Sequence, residues 1–191
     1  MAAPSPAVRP AYTIKVADSQ ELVQACYDVR IEVVFVVEQG FSHDDEIDEY
    51  DPQSIHFLLT TPLPSPPPVA TSSLTPNPAT AGGTTEYPVG TIRFVPGKNK
   101  LTRLAVQKEY RQYGFGKVLV EALETFVKEN AVKQNLGAVY EEGGKKWIDI
   151  KCHSQLYVIP FYTKFGYVAE GPQFDEDGAP HQLLIHKLQV D

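Results

Sequence analysis

Cysteine is scarce in this chain: only Cys26 and Cys152 occur among its 191 residues. Both lie in segments with an apolar pattern, so we expect two buried free thiols. Two isolated cysteines provide neither the paired spacing of a zinc site nor the framework of a disulfide-stabilised domain. The composition therefore argues against a structural metal, and we predict that the chain has no metal ligands.

Long apolar runs are absent as well, since no stretch of 18 apolar residues occurs anywhere in the sequence. The opening residues, MAAPSPAVRP, also lack the apolar core of a secretory signal. We therefore expect a soluble protein of the cytoplasm that does not engage a membrane.

Positive charge is in short supply, because 17 lysines and arginines face 24 acidic residues, a formal net charge of -7. This balance argues against a general nucleic-acid binder, which needs a basic face to neutralise phosphates. The charge is unevenly distributed: residues 44–51 hold six acids, whereas residues 98–117 hold six basic residues and one acid. One local basic patch on an acidic protein suits a compact anionic ligand.

Regular hydrophobic patterns fill most of the chain. The predicted strands cover residues 12–17, 54–61, 87–96, 100–107, 147–153, 167–171 and 181–189. Three helices are predicted. The first follows a cap at Asp18 or Ser19, the second runs from the glycine-containing stretch at 109–119 to about Lys133, and the third covers 154–166. Polar loops are expected at 141–146 and 172–180. The order of elements predicts a mixed α/β protein with a mostly antiparallel central sheet.

Residues 62–86 have a different composition, with seven prolines, many small polar residues and almost no charge. Such a segment buries too little surface to offset the entropy of ordering it. We expect a flexible insertion between neighbouring strands of a single domain, which spans 11–191 and follows a disordered tail at 1–10.

The stretch EYRQYGFGKVL, residues 109–119, places two glycines between a strand and an amphipathic helix. Glycines allow several backbone N–H groups to converge, and the helix start adds its own unpaired N–H groups and dipole. A phosphate cradle and a plain turn both satisfy this pattern. A dinucleotide-binding fold is excluded because the third glycine is missing, and a P-loop is excluded because Val118 follows Lys117.

Residues 103–123, RLAVQKEYRQYGFGKVLVEAL, resemble the cofactor-binding core of the GNAT superfamily of N-acetyltransferases. In that family a strand precedes Q/R-x-x-G-x-G/A at a helix start, and Arg111, Gly114 and Gly116 fill this pattern. A second segment, VIPFYTKFGYVAEG at 158–171, is similar to the FY-x-x-x-GF helix end of these enzymes. The segments at 35–40 and 174–181 look closest to the ElaA-like branch and to arylalkylamine acetyltransferases.

The resemblance implies a sheet of six to seven strands flanked by about four helices, and acetyl-CoA as co-substrate. Backbone groups of Leu104, Ala105 and Val106 would pair with the pantetheine arm, and one N–H would polarise the thioester carbonyl. The pyrophosphate would be held by the loop and the first helical turn, formed by Arg111, Gln112, Tyr113, Gly114, Phe115, Gly116 and Lys117.

Tyr162 matches the tyrosine that protonates the leaving thiolate in this family, in which the amine attacks the thioester directly. A phenol has a pKa near 10, close to that of a thiol, which suits this role. The general base stays open among His153, Glu38 and His181, and a water chain is a further alternative.

The acidic run at 44–51 lies where acceptor loops lie in this family, and six carboxylates raise the local concentration of a cation. We therefore expect a small cationic amine as acceptor, such as a polyamine, an arylalkylamine or a lysine side chain, contacting Glu38, Asp44 and His181. A non-catalytic acyl-CoA sensor, an amino-sugar acetyltransferase and a nucleotide-binding regulator remain alternatives. The protein would be a monomer or a homodimer.

Overall fold

The computed structural model describes residues 8–31, 47–62, 79–81 and 84–191, and side chains are described except at 79–81, 84 and 85. The chain divides into two compact units. The first contains residues up to Arg93 together with Arg103–Ala122, and the second contains Phe94–Thr102 and Leu123–Asp191.

The first unit contains a mostly antiparallel sheet. Its strands are β1 (Thr13–Val16), β2 (Ile55–Pro62), β3 (Ala79–Ala81), most of β4 (Thr84–Val95) and the end of β5 (Lys100–Val106). The strands follow the order β1-β2-β4-β5, and β3 pairs with β4. Strand β1 is antiparallel to β2, with Thr13 opposite Thr60 and Val16 opposite Phe57.

The second unit is built around a long antiparallel ladder. Its strands are the start of β5, β6 (Val139–Glu142), β7 (Lys145–Gln155), β8 (Val168–Glu176) and β9 (Ala179–Val190). Strand β7 lies opposite β9 from Lys146–Val190 to Gln155–His181, and β8 pairs with the far edge of β9. Strand β5 is parallel to β7, with Lys100 opposite Lys151.

Three α-helices occur in the described ranges: α1 (Gln20–Tyr27), α2 (Phe115–Asn130) and α3 (Ile159–Tyr162). The side chain of Ser19 accepts a hydrogen bond from the backbone N–H of Leu22 at 3.3 Å, which confirms the predicted cap. Helix α2 buries Phe115, Leu119, Leu123 and Val127 completely. No helix among the described residues is long and apolar enough to cross a membrane.

Close packing of α2 on β4 depends on a glycine. A Cβ at Gly90 would lie 3.1 Å from the Leu119 side chain and 3.3 Å from the carbonyl oxygen of Ala105. Any larger residue at this position would therefore press on the Leu119 side chain of α2 and on the backbone of β5.

Both cysteines are free and buried, as predicted. Burial raises the pKa of each thiol to about 12, so neither is a reactive nucleophile.

Two regions predicted as polar loops are hairpins. Strand β6 pairs with β7 across Gly143 and Gly144, and β8 pairs with β9 across Asp177 and Gly178. All four turn residues have positive φ, between 56° and 75°, as expected for two-residue hairpin turns. The nine described strands therefore exceed the six to seven expected, because β3 and β6 were missed.

The helix predicted over 154–166 is also wrong in extent. Strand β7 continues to Gln155, and α3 has only four residues between two 3₁₀ turns, Leu156–Val158 and Thr163–Phe165. Within the segment predicted as a flexible insertion, 62–86, Ala79 pairs with Glu86 in a hairpin. Residues 63–78 and 82–83, and residues 1–7 of the predicted tail, lie outside the described residues.

Candidate functional site

Residues 111–117, here called the glycine loop, belong to the first unit and include the first turn of α2. A 3₁₀ turn, Lys108–Tyr113, ends at Gly114, whose φ of 71° and ψ of 25° are left-handed. This conformation is costly for residues with a Cβ, so the sequence requires glycine at this position. The N–H groups of Phe115 and Gly116 follow in the first turn of α2, where a helix provides no acceptor for them. The loop therefore presents backbone donors and a helix dipole, which fit a diphosphate.

Two predicted cations border this loop. The Nε of Arg111 donates to the carbonyl oxygen of Val106 at 2.9 Å, so this arginine ties the loop to the end of β5. Lys117 is exposed and lies 3.4 Å from Glu121. Of the two residues that follow Arg111, Gln112 is exposed and Tyr113 is half-buried. The seven predicted residues thus form one continuous segment, with the positive charges of Arg111 and Lys117 at its two ends.

Strand β5 carries the residues predicted to meet the pantetheine arm. Ala105 and Val106 are buried, and Leu104 is half-buried. Just before them, Arg103 has a φ of 54°, an uncommon conformation for a non-glycine residue inside a strand. Such residues mark local irregularities of a strand, which are frequent at functional sites. The sequence carried no signal for this feature.

Tyr162 lies in the second unit, at the end of α3, and is 7% exposed. Its ring contacts Tyr167 and Phe161, with ring centroids 5.5 Å and 5.0 Å away. Burial raises the pKa of Tyr162 far above its usual value, and the nearby Cys152 thiol adds to this effect. The phenol therefore keeps its proton at neutral pH, but burial moves its pKa away from that of a thiol, so the match expected from the sequence is not present in this structure.

Strand β7 separates Cys152 from the candidate base. Ile150, Cys152 and Ser154 are buried, whereas Lys151 and His153 are exposed on the other face, as expected for alternating side chains. Because Tyr162 interacts with Cys152, the candidate acid and His153 belong to opposite faces of this strand. A donor and an acceptor of protons thus occupy different sides of one strand.

Glu176, which sequence reasoning missed, is the partner of His153. The Nδ1 of His153 lies 2.8 Å and 3.0 Å from the two carboxylate oxygens of Glu176, and 3.1 Å from the Nζ of Lys100. A protonated Nδ1 donates to the carboxylate and leaves Nε2 with its lone pair, whereas the ammonium of Lys100 pairs electrostatically with Glu176. Partial burial raises the pKa of Glu176, but His153 and Lys100 outweigh it and hold this pKa below its usual value.

His181 belongs to the same group of side chains in the second unit. Its Nδ1 donates to the carbonyl oxygen of Ala179 at 2.9 Å, and its ring stacks on Phe174 at 6.2 Å. Phe174 also meets His153 edge to face at 4.8 Å. The structure therefore brings together His153 and His181, two of the three candidate bases. Glu38 and Asp44 lie outside the described residues.

The acidic run at 44–51 is partly a structural element. Asp51 is buried and forms a two-point ion pair with Arg30, at 2.6 Å and 2.8 Å. Asp48 forms a second two-point pair with Arg93, at 2.7 Å and 2.8 Å. Burial raises the pKa of Asp51, but the guanidinium of Arg30 outweighs it and lowers this pKa to about 2. These two carboxylates are neutralised by arginines, so they do not attract an acceptor as the sequence suggested.

Comparison with known proteins identifies the family. Residues 83–184 match the family model of the acetyltransferase (GNAT) domain, more than half of the chain. A Bacillus subtilis protein that carries the name of an acetyltransferase is 31% identical over 176 residues, which cover 90% of this chain and 93% of that protein. The chain belongs to the GNAT acetyltransferase family. GNAT acetyltransferases use acetyl-CoA, and the matched region contains both the glycine loop and Tyr162.

Solved GNAT structures share this fold. An N-acetyltransferase structure from Lactobacillus plantarum is 26% identical, with a TM-score of 0.64, over 93% of this chain and 99% of that chain. ElaA from Escherichia coli is 19% identical, with a TM-score of 0.58, over 92% of this chain and 97% of that chain. The predicted GNAT fold class is confirmed.

Among the described residues, no group of three or more potential ligands is arranged to hold a metal ion.

Proposed function

We propose that this GNAT acetyltransferase transfers the acetyl group of acetyl-CoA directly to a primary amine. The observation that carries this proposal is the matched domain, residues 83–184, which contains both the left-handed Gly114 of the loop and the buried phenol of Tyr162. The first suits a diphosphate, and the second suits protonation of a leaving thiolate.

Residues of the glycine loop and of strand β5 are proposed to bind acetyl-CoA. The N–H groups of Phe115 and Gly116 and the side chains of Arg111 and Lys117 hold the diphosphate. Backbone groups of residues 104–106 orient the extended arm of the same molecule. An N–H of this segment donates a hydrogen bond to the carbonyl oxygen and stabilises the charge that develops on it. When bound, acetyl-CoA supplies the activated acetyl group.

The proposed proton-transfer groups are Tyr162 and the pair of His153 with Glu176. Tyr162 donates its proton to the departing sulfur as the carbon–sulfur bond breaks and the carbon–nitrogen bond forms. Because His153 lies on the face of β7 opposite Tyr162, a chain of water molecules carries the proton of the attacking amine to its Nε2, and Glu176 holds the ring through Nδ1 and stabilises the imidazolium. One proton leaves the amine and one reaches the thiolate, so the exchange balances. His181 contacts the acceptor from the neighbouring strand position.

We further propose a small cationic acceptor of the polyamine, arylalkylamine or lysine type, and an ElaA-like branch of the family. The net charge of -7 supports a cationic substrate, because an acidic protein attracts cations over its surface. Glu49, an exposed member of the acidic run, contributes to this field, and Glu38 and Asp44 remain proposed contacts.

The experiment is a thiol-release assay of the full chain with acetyl-CoA and a panel of amines. The panel contains spermidine, tyramine, an N-blocked lysine amide and glucosamine 6-phosphate. We expect amine-dependent thiol release with at least one cationic amine, accompanied by the acetylated product in mass spectrometry. Turnover confined to the amino-sugar phosphate would contradict the acceptor class. Binding of acetyl-CoA without turnover of any amine would support a sensor instead.

A further inference from the structure

We propose that Arg9 is an additional ligand of the 5′-diphosphate of acetyl-CoA. Residues 8–12, here called the N-terminal arm, would thereby form one wall of the diphosphate site. This inference rests on the proposed function, since it assumes that acetyl-CoA binds at the glycine loop. Sequence reasoning placed Arg9 in a disordered tail and gave it no role.

The position of Arg9 carries the proposal. A Cβ built on Gly114 would lie 3.1 Å from the Nη2 of Arg9, so the guanidinium lies against the one left-handed residue of the loop. Both residues belong to the first unit. A guanidinium at this position adds two or more N–H donors beside the backbone donors of the loop. Arginine forms two-point hydrogen bonds with phosphate oxygens, and this geometry suits a diphosphate.

The N-terminal arm is held in place by aromatic contacts. Tyr12 meets Phe115 edge to face, with ring centroids 5.4 Å apart. Phe115 is completely buried and is the residue between the two glycines of the loop. The guanidinium carbon of Arg9 lies 5.9 Å from the centre of the Tyr12 ring, within the range of a cation–π contact. The same arm thus contacts the loop twice, once through each of these side chains.

Arg9 differs from the neighbouring cations Arg111 and Lys117 in its described partners. Arg111 already donates to the carbonyl oxygen of Val106, and Lys117 already lies beside Glu121. Among the described residues, no carboxylate forms an ion pair with Arg9, which is exposed. A cation held beside a glycine loop without a described counter-charge is placed to neutralise a bound anion.

The test measures the dissociation constant of acetyl-CoA by isothermal titration calorimetry for the full chain and three variants. Arg9→Ala removes the guanidinium, Arg9→Lys keeps the charge but not the two-point geometry, and Lys133→Ala is the matched control. Lys133 is an exposed cation that follows the C-terminal end of α2, whereas Gly114 precedes its first residue. Arg9 and Lys133 are both exposed, so we expect all three variants to fold.

We expect Arg9→Ala to raise the dissociation constant by about threefold to tenfold, as for loss of one partly exposed charge-assisted contact. Arg9→Lys should recover part of the loss, and Lys133→Ala should match the wild type. The ratio between Arg9→Ala and the wild type should persist with 3′-dephospho-acetyl-CoA, because the proposed contact is to the 5′-diphosphate.

Three results have distinct meanings. If the wild type does not bind acetyl-CoA, the proposed function fails, and this inference fails with it. If the wild type binds and Arg9→Ala binds equally well, only the role of Arg9 is overturned. If the effect of Arg9→Ala disappears with 3′-dephospho-acetyl-CoA, the contact is to the 3′-phosphate, and the diphosphate assignment is overturned.

Discussion

Neighbouring residues of strand β7 have opposite surroundings. Cys152 is 1% exposed and interacts with the buried phenol of Tyr162, whereas His153 points away and pairs with Glu176 at 2.8 Å. This alternation follows directly from the two-residue period of a strand. It gives the proposed acid a dry environment that keeps its proton, and it gives the proposed base a solvated environment with a counter-charge.

Replacing Tyr162 by phenylalanine removes the proposed acid while keeping the buried ring. We expect kcat to fall about 100-fold, the lower end of what general acid catalysis contributes, with an unchanged dissociation constant for acetyl-CoA. Thiol release under saturating amine and acetyl-CoA provides kcat. Tyr157→Phe is the matched control, because this phenol is 78% exposed in the preceding 3₁₀ turn. Equal losses in the two variants would argue that the change is not specific to Tyr162.

The β8–β9 hairpin carries two residues of the candidate site, Glu176 and His181, on either side of its turn. Gly178 has a φ of 75°, and a Cβ there would meet no atom within 4 Å. Gly178→Ala therefore introduces backbone strain of about 1 kcal/mol without a steric clash. Strain in this turn displaces Glu176, so we expect kcat to fall severalfold while the dissociation constant of acetyl-CoA stays constant.

Gly144→Ala is a matched control for this change. Gly144 occupies the equivalent position of the β6–β7 turn, with a φ of 73° and equally open surroundings. Both variants should lose a similar free energy of unfolding in urea, because the two backbone conformations are nearly the same. Only Gly178→Ala should lose activity. A comparable loss of kcat in both variants would contradict a specific role of the β8–β9 turn in positioning Glu176.

The elements that the sequence predicted well are those with a strong hydrophobic period. Strand β2 and helix α2 bury continuous apolar faces, and the prediction placed both within a few residues of their ends. Strand β6 was missed because it is short and polar, although Gly143–Gly144 is a recognised hairpin signal. Asp177–Gly178 carries the same signal, and reading it would have extended β8 to Glu176.

Some residues of the candidate site could be predicted from the sequence and others could not. The glycine loop and Tyr162 are local motifs, so the sequence alone located them. Glu176 and Arg9 could not be assigned, because their roles depend on contacts with His153 and Gly114, which are 23 and 105 positions away in the chain. The two acids Asp48 and Asp51 were assigned to substrate attraction for the same reason, since their arginine partners lie on other elements.

For the whole molecule, the buried charge network determines how stability depends on pH. His56 is 2% exposed, and its Nε2 lies 3.0 Å from the carbonyl oxygen of Asp51. Burial, followed by the charges of Arg30 and Arg93, outweighs the Asp51 contacts and lowers the pKa of His56 below 6.5. The imidazole is therefore neutral in the folded protein at pH values where the unfolded chain already binds a proton.

The sign of the effect follows from this lowered pKa. Stability is fully present above pH 6.5 and is lost as the pH falls through the pKa of folded His56, with a slope of up to about 1.4 kcal/mol per pH unit for one proton. We expect the free energy of unfolding in urea to fall between pH 7 and pH 5. His56→Gln retains a hydrogen-bond donor and should make this dependence flatter by up to one proton.

The difference between the two pH curves isolates His56, because every other titrating group is common to both proteins. Parallel curves between pH 7 and pH 5 would show that His56 does not couple to folding. Asp51 contributes in a lower range, because its pKa of about 2 makes its stabilisation disappear only as the pH falls below 3.8 toward 2. The two groups can therefore be separated in one experiment.

Acetylation of an amine by this GNAT chain must form two products in equal amounts, the free thiol of coenzyme A and the acetylated amine. Wild-type protein is incubated with acetyl-CoA and each amine of the panel, and released thiol and acetylated amine are quantified together. We expect equimolar thiol and acetyl-amine with a cationic acceptor, and about 100-fold less of both with Tyr162→Phe. Absence of acetylated amine across the panel, despite tight binding of acetyl-CoA, would contradict the proposed acetyl transfer.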